Sequence, residues 1–141
     1  MQINNPPSFG LYVHVPFCVK RCAYCDFASN VYSPAAAARW LDALDREAAH
    51  RGAMLGRIAP TTVYLGGGTP TALTADELRR LFAVLAARFD LARVAEFTLE
   101  ANPGTLTPEK LRLARAAGVN RLSLGAQSFQ PRLLRLLGLA R

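Results

Sequence analysis

The chain has 141 residues, 51% of them apolar and 19% charged, which suits one globular domain around one modest core. It carries a net charge of +7 and three cysteines, all between positions 18 and 25. No apolar run is long enough to cross a bilayer, and the opening MQINNPPSFG lacks the basic start and apolar stretch of a signal peptide, so a cytoplasmic protein is expected.

In chain order, the hydrophobic pattern switches between two periods. Leu11–Val15 reads as a strand, and the cysteine-bearing segment follows it. Ser33-Pro34, an N-cap followed by Pro at the first helical position, opens a helix expected to run to about Gly52. Thr62–Leu65 is the second strand. Thr74-Ala-Asp-Glu77 is a capping box for a helix whose Leu78, Leu81, Phe82, Leu85 and Phe89 make one apolar stripe. Glu96–Leu99 is the third strand, and Thr107-Pro108 starts a helix that stops near Gly118. Arg121–Leu124 is the fourth strand, with a last helix from about Pro131. Four βα units with short connections predict an α/β fold with a parallel sheet, because each helix supplies the crossover that parallel pairing needs. Periodicity leaves the strand order open, so a doubly wound sheet and a βα barrel both fit.

The basic excess is mostly arginine spread along expected helices, with no dense run and no interleaved aromatics, and no nucleic-acid partner is expected. From Lys110 onward there are seven basic residues and no acid, an imbalance that could face acidic residues of further chain.

In parallel βα architectures the loops after the strands form the functional mouth. Each of the four strands is followed there by an unusual segment: Cys18-Val-Lys-Arg-Cys22-Ala-Tyr-Cys25, Gly66-Gly67-Gly68-Thr69-Pro70, Glu100-Ala-Asn102-Pro-Gly104, and Gly125-Ala-Gln127-Ser-Phe129. Four such features at one end of one sheet suggest a single site. Three crowded cysteines make a poor disulfide framework and suit a metal centre. The spacing C-x3-C-x2-C can hold a [4Fe-4S] cluster with one iron left open to an external chelator, such as the amino and carboxylate groups of S-adenosylmethionine. The alternative is a zinc site of the Cys₃His type that borrows His14. Inert buried cysteines are disfavoured, since Lys20 and Arg21 keep the loop near water and favour thiolate. The three glycines fit a tight turn as well as a close approach by a ligand. Glu100 at a strand end can accept from ribose hydroxyls or pair with an arginine. Gln127 is an uncharged donor and acceptor, weak evidence by itself.

With those residues in view, Leu11-Tyr-Val-His-Val-Pro-Phe-Cys18, the cysteine loop, Gly66–Thr71, Glu100–Gly104 and Leu122–Phe129 together resemble the oxygen-independent coproporphyrinogen III oxidase group of radical S-adenosylmethionine (SAM) proteins. The likeness runs from about residue 10 to residue 138. It implies the first four units of a partial (β/α)6 radical SAM barrel, with residues 1–9 as an N-terminal tail and 10–141 as the N-terminal part of a core that continues further. It implies that Cys18, Cys22 and Cys25 hold the cluster and that Tyr12 and Tyr24 flank it and the cofactor. Gly67, Gly68 and Thr69 would lie along the methionine part, and Glu100 and Gln127 near the ribose. In the shared mechanism a reduced cluster, fed by an electron-donor protein, cleaves S-adenosylmethionine to a 5′-deoxyadenosyl radical.

Two departures from the group's pattern matter. Its oxidases carry a further cysteine two residues after the third, where this chain has Phe27; Cys25-Asp26-Phe27 is similar to the heme-chaperone branch. Leu139 stands where a cofactor-contacting arginine is expected. The resemblance therefore implies heme handling as the leading function, with heme or a porphyrinogen as the partner, and oxidative decarboxylation of coproporphyrinogen III as the alternative.

Overall fold

Apolar and polar side chains alternate along β1 (Gly10–Val15), so that Val13 and Val15 are buried while Tyr12 and His14 take the other face. The structure is a computed structural model that describes residues 9–56 and 58–139; most of the expected N-terminal tail, and Arg141, lie outside the described residues. After β1 come two short strands, β2 (Phe17–Cys18) and β3 (Asn30–Val31), which pair with each other in parallel and bracket the cysteine loop. The chain continues through α1 (Pro34–Leu55), β4 (Thr62–Gly67), α2 (Ala75–Arg88), β5 (Glu96–Ala101), α3 (Pro108–Ala116), β6 (Arg121–Leu124) and α4 (Pro131–Leu136).

The helix starts are set by local chemistry. Ser33 accepts from the Ala36 amide, Thr107 accepts from that of Lys110, and Thr74 and Glu77 form the expected reciprocal capping box. Helix α3 closes with Gly118 at φ +99°, whose amide donates to the Arg115 carbonyl while that of Val119 donates to Ala114. This is a Schellman ending, and it needs the left-handed residue. Helix α1 runs through Gly52 to Leu55; its buried Ala37, Leu41 and Ala48 hold it against the core despite the entropy cost of the glycine.

The strands β1, β4, β5 and β6 form one parallel sheet in that order, each beside its successor. A doubly wound sheet needs a reversal of strand order, whereas sequential order with intervening helices is the barrel arrangement. The helices pack on one face, α1 on α2 and α2 on α3. There Val13, Val15, Val63, Leu65, Phe97 and Leu99 meet Leu41, Leu78, Leu81 and Leu85 in one core. The opposite face is polar. Tyr12, Tyr64, Thr98 and Arg121 lie in register across the four strands, with Ser123 opposite Glu100 one step further along. A polar concave face backed by an apolar convex one is what an arc of βα units presents.

Candidate cofactor site

All four strand ends converge on one cavity of about 500 Å³, within the size range of small-molecule sites. Its cysteine wall is built on backbone. The Asn30 amide donates to Pro16 and that of Tyr32 to Cys18, both at 2.8 Å, closing the base of the loop; within it, the Cys25 amide donates to the Cys22 carbonyl. Cys18, Cys22 and Cys25 are free, half-buried thiols, and all three line the cavity.

The glycine segment is pressed against this loop. The Gly68 amide donates to Val15 and that of Thr69 to Phe17, at 2.9 and 2.6 Å. A Cβ on Gly68 would stand 2.7 Å from the Phe17 carbonyl oxygen, and one on Gly67, at φ +112°, would stand 2.6 Å from the His14 ring. These glycines therefore serve the protein's own close packing and also border the cavity. That contact brings the Thr69 hydroxyl to 3.7 Å from the Cys18 sulfur.

His14 ties the sheet to the far end of the cysteine loop. Its Nε2 lies 2.7 Å from the Ala28 carbonyl oxygen, which can only accept, so Nε2 carries the proton. Nδ1 then accepts from the Tyr12 hydroxyl at 3.1 Å. Both ring nitrogens are hydrogen-bonded, so the Cys₃His zinc alternative would require Nδ1 to give up the Tyr12 hydroxyl. Among the described residues, no three His, Cys, Asp or Glu side chains gather around a single ion position. A cube that offers each thiolate a different iron does not require such convergence. Three accessible thiols on one cavity wall fit it.

Glu100 receives the Tyr64 hydroxyl at 2.6 Å on Oε1 and the Gly67 amide at 3.2 Å on Oε2. The hydrogen bond to Glu100, with burial and the carboxylate's charge, pushes the Tyr64 phenol up. Burial, and then Glu100, does the same to Tyr12. Both phenols stay neutral donors, and Glu100 keeps lone pairs free for another donor. Gln127 holds φ +61°, the one non-glycine residue in the left-handed region among those described.

Of the residues singled out from sequence, Tyr24, Gly67, Gly68, Thr69, Glu100 and Gln127 border the cavity together with the cysteines. Tyr12 is not among its lining residues. Strand alternation turns it onto the concave face, where its ring stacks on Tyr64 with centroids 6.1 Å apart. Phe27 and Leu139, the two departures from the group's pattern, both face the cavity, and Lys20 reaches across to donate to the Gly138 carbonyl. Sequence reading missed Tyr64 as the partner of Glu100. The available signal was its place two residues before Gly66, on the face that alternation assigns to Glu100.

Sequential parallel βα units with three thiols and a glycine segment at the strand C-terminal ends define a barrel-type α/β protein with a candidate cofactor cavity at its mouth. Residues 12–141 match the profile of the radical SAM superfamily, and the chain belongs to that superfamily. It is 46% identical over 134 residues to heme chaperone HemW of Mycobacterium tuberculosis, covering 92% of this chain and 34% of the relative. It is 39% identical to heme chaperone HemW of Escherichia coli, over 94% of this chain and 35% of the relative. The solved structure of coproporphyrinogen III oxidase from Escherichia coli, a radical SAM enzyme, superimposes with a TM-score of 0.86 at 34% identity, over 95% of this chain and 31% of that one. The chain thus spans about a third of the length of the curated relatives it matches. Among the described residues, no helix is long and apolar enough to cross a membrane.

Proposed function

We propose that this chain forms the cluster- and S-adenosylmethionine-binding part of a heme chaperone, a protein that carries heme as cargo. The observation that carries the reading is the shared cavity, where three free thiols stand on one wall and Gly67–Thr69, Glu100 and Gln127 stand on the others. Cys18, Cys22 and Cys25 would hold a [4Fe-4S] cluster, leaving one iron for the amino and carboxylate groups of S-adenosylmethionine. Gly67, Gly68 and Thr69 would border its methionine part. Glu100, fixed by Tyr64 and Gly67, would accept from ribose hydroxyls, with Gln127 and Tyr24 closing the sides; Tyr12 would act from the concave face. When bound, the pair supplies one-electron chemistry, while the protein contributes position and exclusion of water. The electron would come from a separate donor protein. Thiols that must stay reduced suit the cytoplasm, and residues 10–141 would be the N-terminal part of the radical SAM core found in the longer relatives.

Phe27 favours the chaperone over the oxidase. It borders the cavity with 65% of its surface exposed, so a cysteine there would add a fourth thiol to the same mouth. The oxidase reading is favoured by the structural likeness to coproporphyrinogen III oxidase. The test is anaerobic reconstitution of the protein in its longest form, followed by heme titration and by incubation with coproporphyrinogen III, reductant and S-adenosylmethionine. Stoichiometric heme binding without decarboxylated porphyrin is expected. Multiple turnovers to that product would replace the chaperone reading with the oxidase one.

A further inference from the structure

Two of the cavity walls are stitched to each other away from the cysteines. One wall is the segment after β4, which turns through a short 3-10 helix at Pro70–Ala72; the other follows β5 and turns at Pro103–Thr105. Thr71, fully buried, sits at the junction. The Asn102 amide donates to Thr71 Oγ1 at 3.3 Å, and the Thr105 hydroxyl donates to the Asn102 carbonyl at 2.8 Å. A hydroxyl has one proton, so the 2.5 Å contact between the two threonines runs from Thr71 to Thr105. The result is a closed circuit that begins and ends on Asn102. Lys110, half-buried on α3, completes the stitch by donating from Nζ to the Thr71 carbonyl at 2.7 Å and to the Thr105 carbonyl at 3.1 Å.

We infer that Thr71 and Lys110 are positioning residues: they fix the separation between the Thr69 wall and the Asn102–Thr105 wall, and so set the affinity for S-adenosylmethionine without touching it. Neither side chain lines the cavity, whereas Thr69, Asn102, Gly104 and Thr105 do. The inference rests on the cavity holding that cofactor. Thr71→Val keeps the shape but leaves the Asn102 amide without its acceptor and Thr105 without its donor, and Thr71→Ser keeps the hydroxyl. Lys110→Met keeps the length of the side chain and releases both carbonyls.

The test uses the reconstituted chain and two readouts. Hydrogen exchange, without cofactor, should show the Asn102 and Thr105 amides exchanging about tenfold faster in Thr71→Val and Lys110→Met than in wild type, with Thr71→Ser close to wild type. Calorimetric titration should show S-adenosylmethionine affinity reduced about tenfold in the same two variants and restored in Thr71→Ser, at unchanged iron content. Should Thr71→Val lose its helical signal, Lys110→Met carries the test. If wild type binds no S-adenosylmethionine, the cofactor reading falls and the inference falls with it. If wild type binds it and both variants bind as tightly, only the inference falls.

Discussion

One row of side chains runs across the convex face of the sheet: Val13, Leu65, Leu99 and Leu122, paired in register from strand to strand. The first three are buried, at 4%, 0% and 0% exposure, and the fourth is 40% exposed. All four are branched aliphatics, and Leu65, Leu99 and Leu122 are the same residue, so position rather than hydrophobicity makes the difference. Strands β1, β4 and β5 have helices packed over them, while Leu122 and Leu124 on β6 lie open, Leu122 in a groove bordered by Leu111 and Val119 and Leu124 at the rim of the main cavity. The two ends of the site inherit this contrast. The cysteine loop stands on a sheet edge locked by core packing and backbone hydrogen bonds, and Gln127 follows the least covered strand.

The largest expected effect lies at the locked end. Changing Cys18, Cys22 or Cys25 to Ala should abolish the brown colour and the iron of the reconstituted protein, because three thiolates are the minimum holding of a cube with one open iron. Gln127→Ala should leave iron content intact and weaken S-adenosylmethionine by about tenfold, the effect of one lost polar contact. Equal loss of iron in both variants would break the contrast between the ends.

Stability should follow the same division. Leu65→Ala should cost about 2–5 kcal/mol in denaturant unfolding, as buried leucines do. Leu124→Ala, at 52% exposure, should stay within about 0.5 kcal/mol, the usual range for surface positions. An effect smaller than that at Leu65 is expected at His14. His14→Phe keeps a ring under Gly67 but removes the bond to Ala28, at a cost of roughly 1 kcal/mol. Iron should then be retained less well on dilution into chelator, with the circular dichroism unchanged.

The smallest effect concerns how β6 is held. Arg121 donates twice to Glu96, at 2.9 Å. Hydrogen bonding from Arg121, then from Thr98, holds the Glu96 carboxyl below the usual carboxylate range. A depressed folded pKa adds stability above the unfolded value and loses it as pH falls through the folded one. Carboxyl titration by NMR should place Glu96 below an ordinary glutamate in wild type and return it toward that value in Arg121→Gln. Amide protection in β6 should fade below about pH 4, the ordinary glutamate range, before that of β4 does.

The strand runs, the helix caps and the gathering of the four strand-end segments were legible in sequence, because each is written in consecutive residues. Thr74 to Glu77 is an example: four positions contain both halves of the capping box. What escaped reading depends on residues far apart in the chain. The pairing of Phe17–Cys18 with Asn30–Val31 is too short to leave a period, and the strand order is a property of crossovers rather than of composition. Tyr12 shows the limit on the site itself. It stands on the strand that leads to the cysteine loop, but alternation turns it to Tyr64 and His14, and it is not among the cavity-lining residues. Thr71, Thr105 and Lys110 look like ordinary turn and helix residues until the fold brings β4 and β5 side by side.

The left-handed backbone at Gln127 has a consequence for how this protein could be improved. A non-glycine residue there carries strain on the order of 1 kcal/mol, which glycine would relieve. Selection for heat resistance alone should therefore drift toward glycine at 127, and a library sorted for cofactor retention should keep the glutamine. If the proposed cofactor role of Gln127 holds, the position sets durability against use, and the two selections should end on different residues.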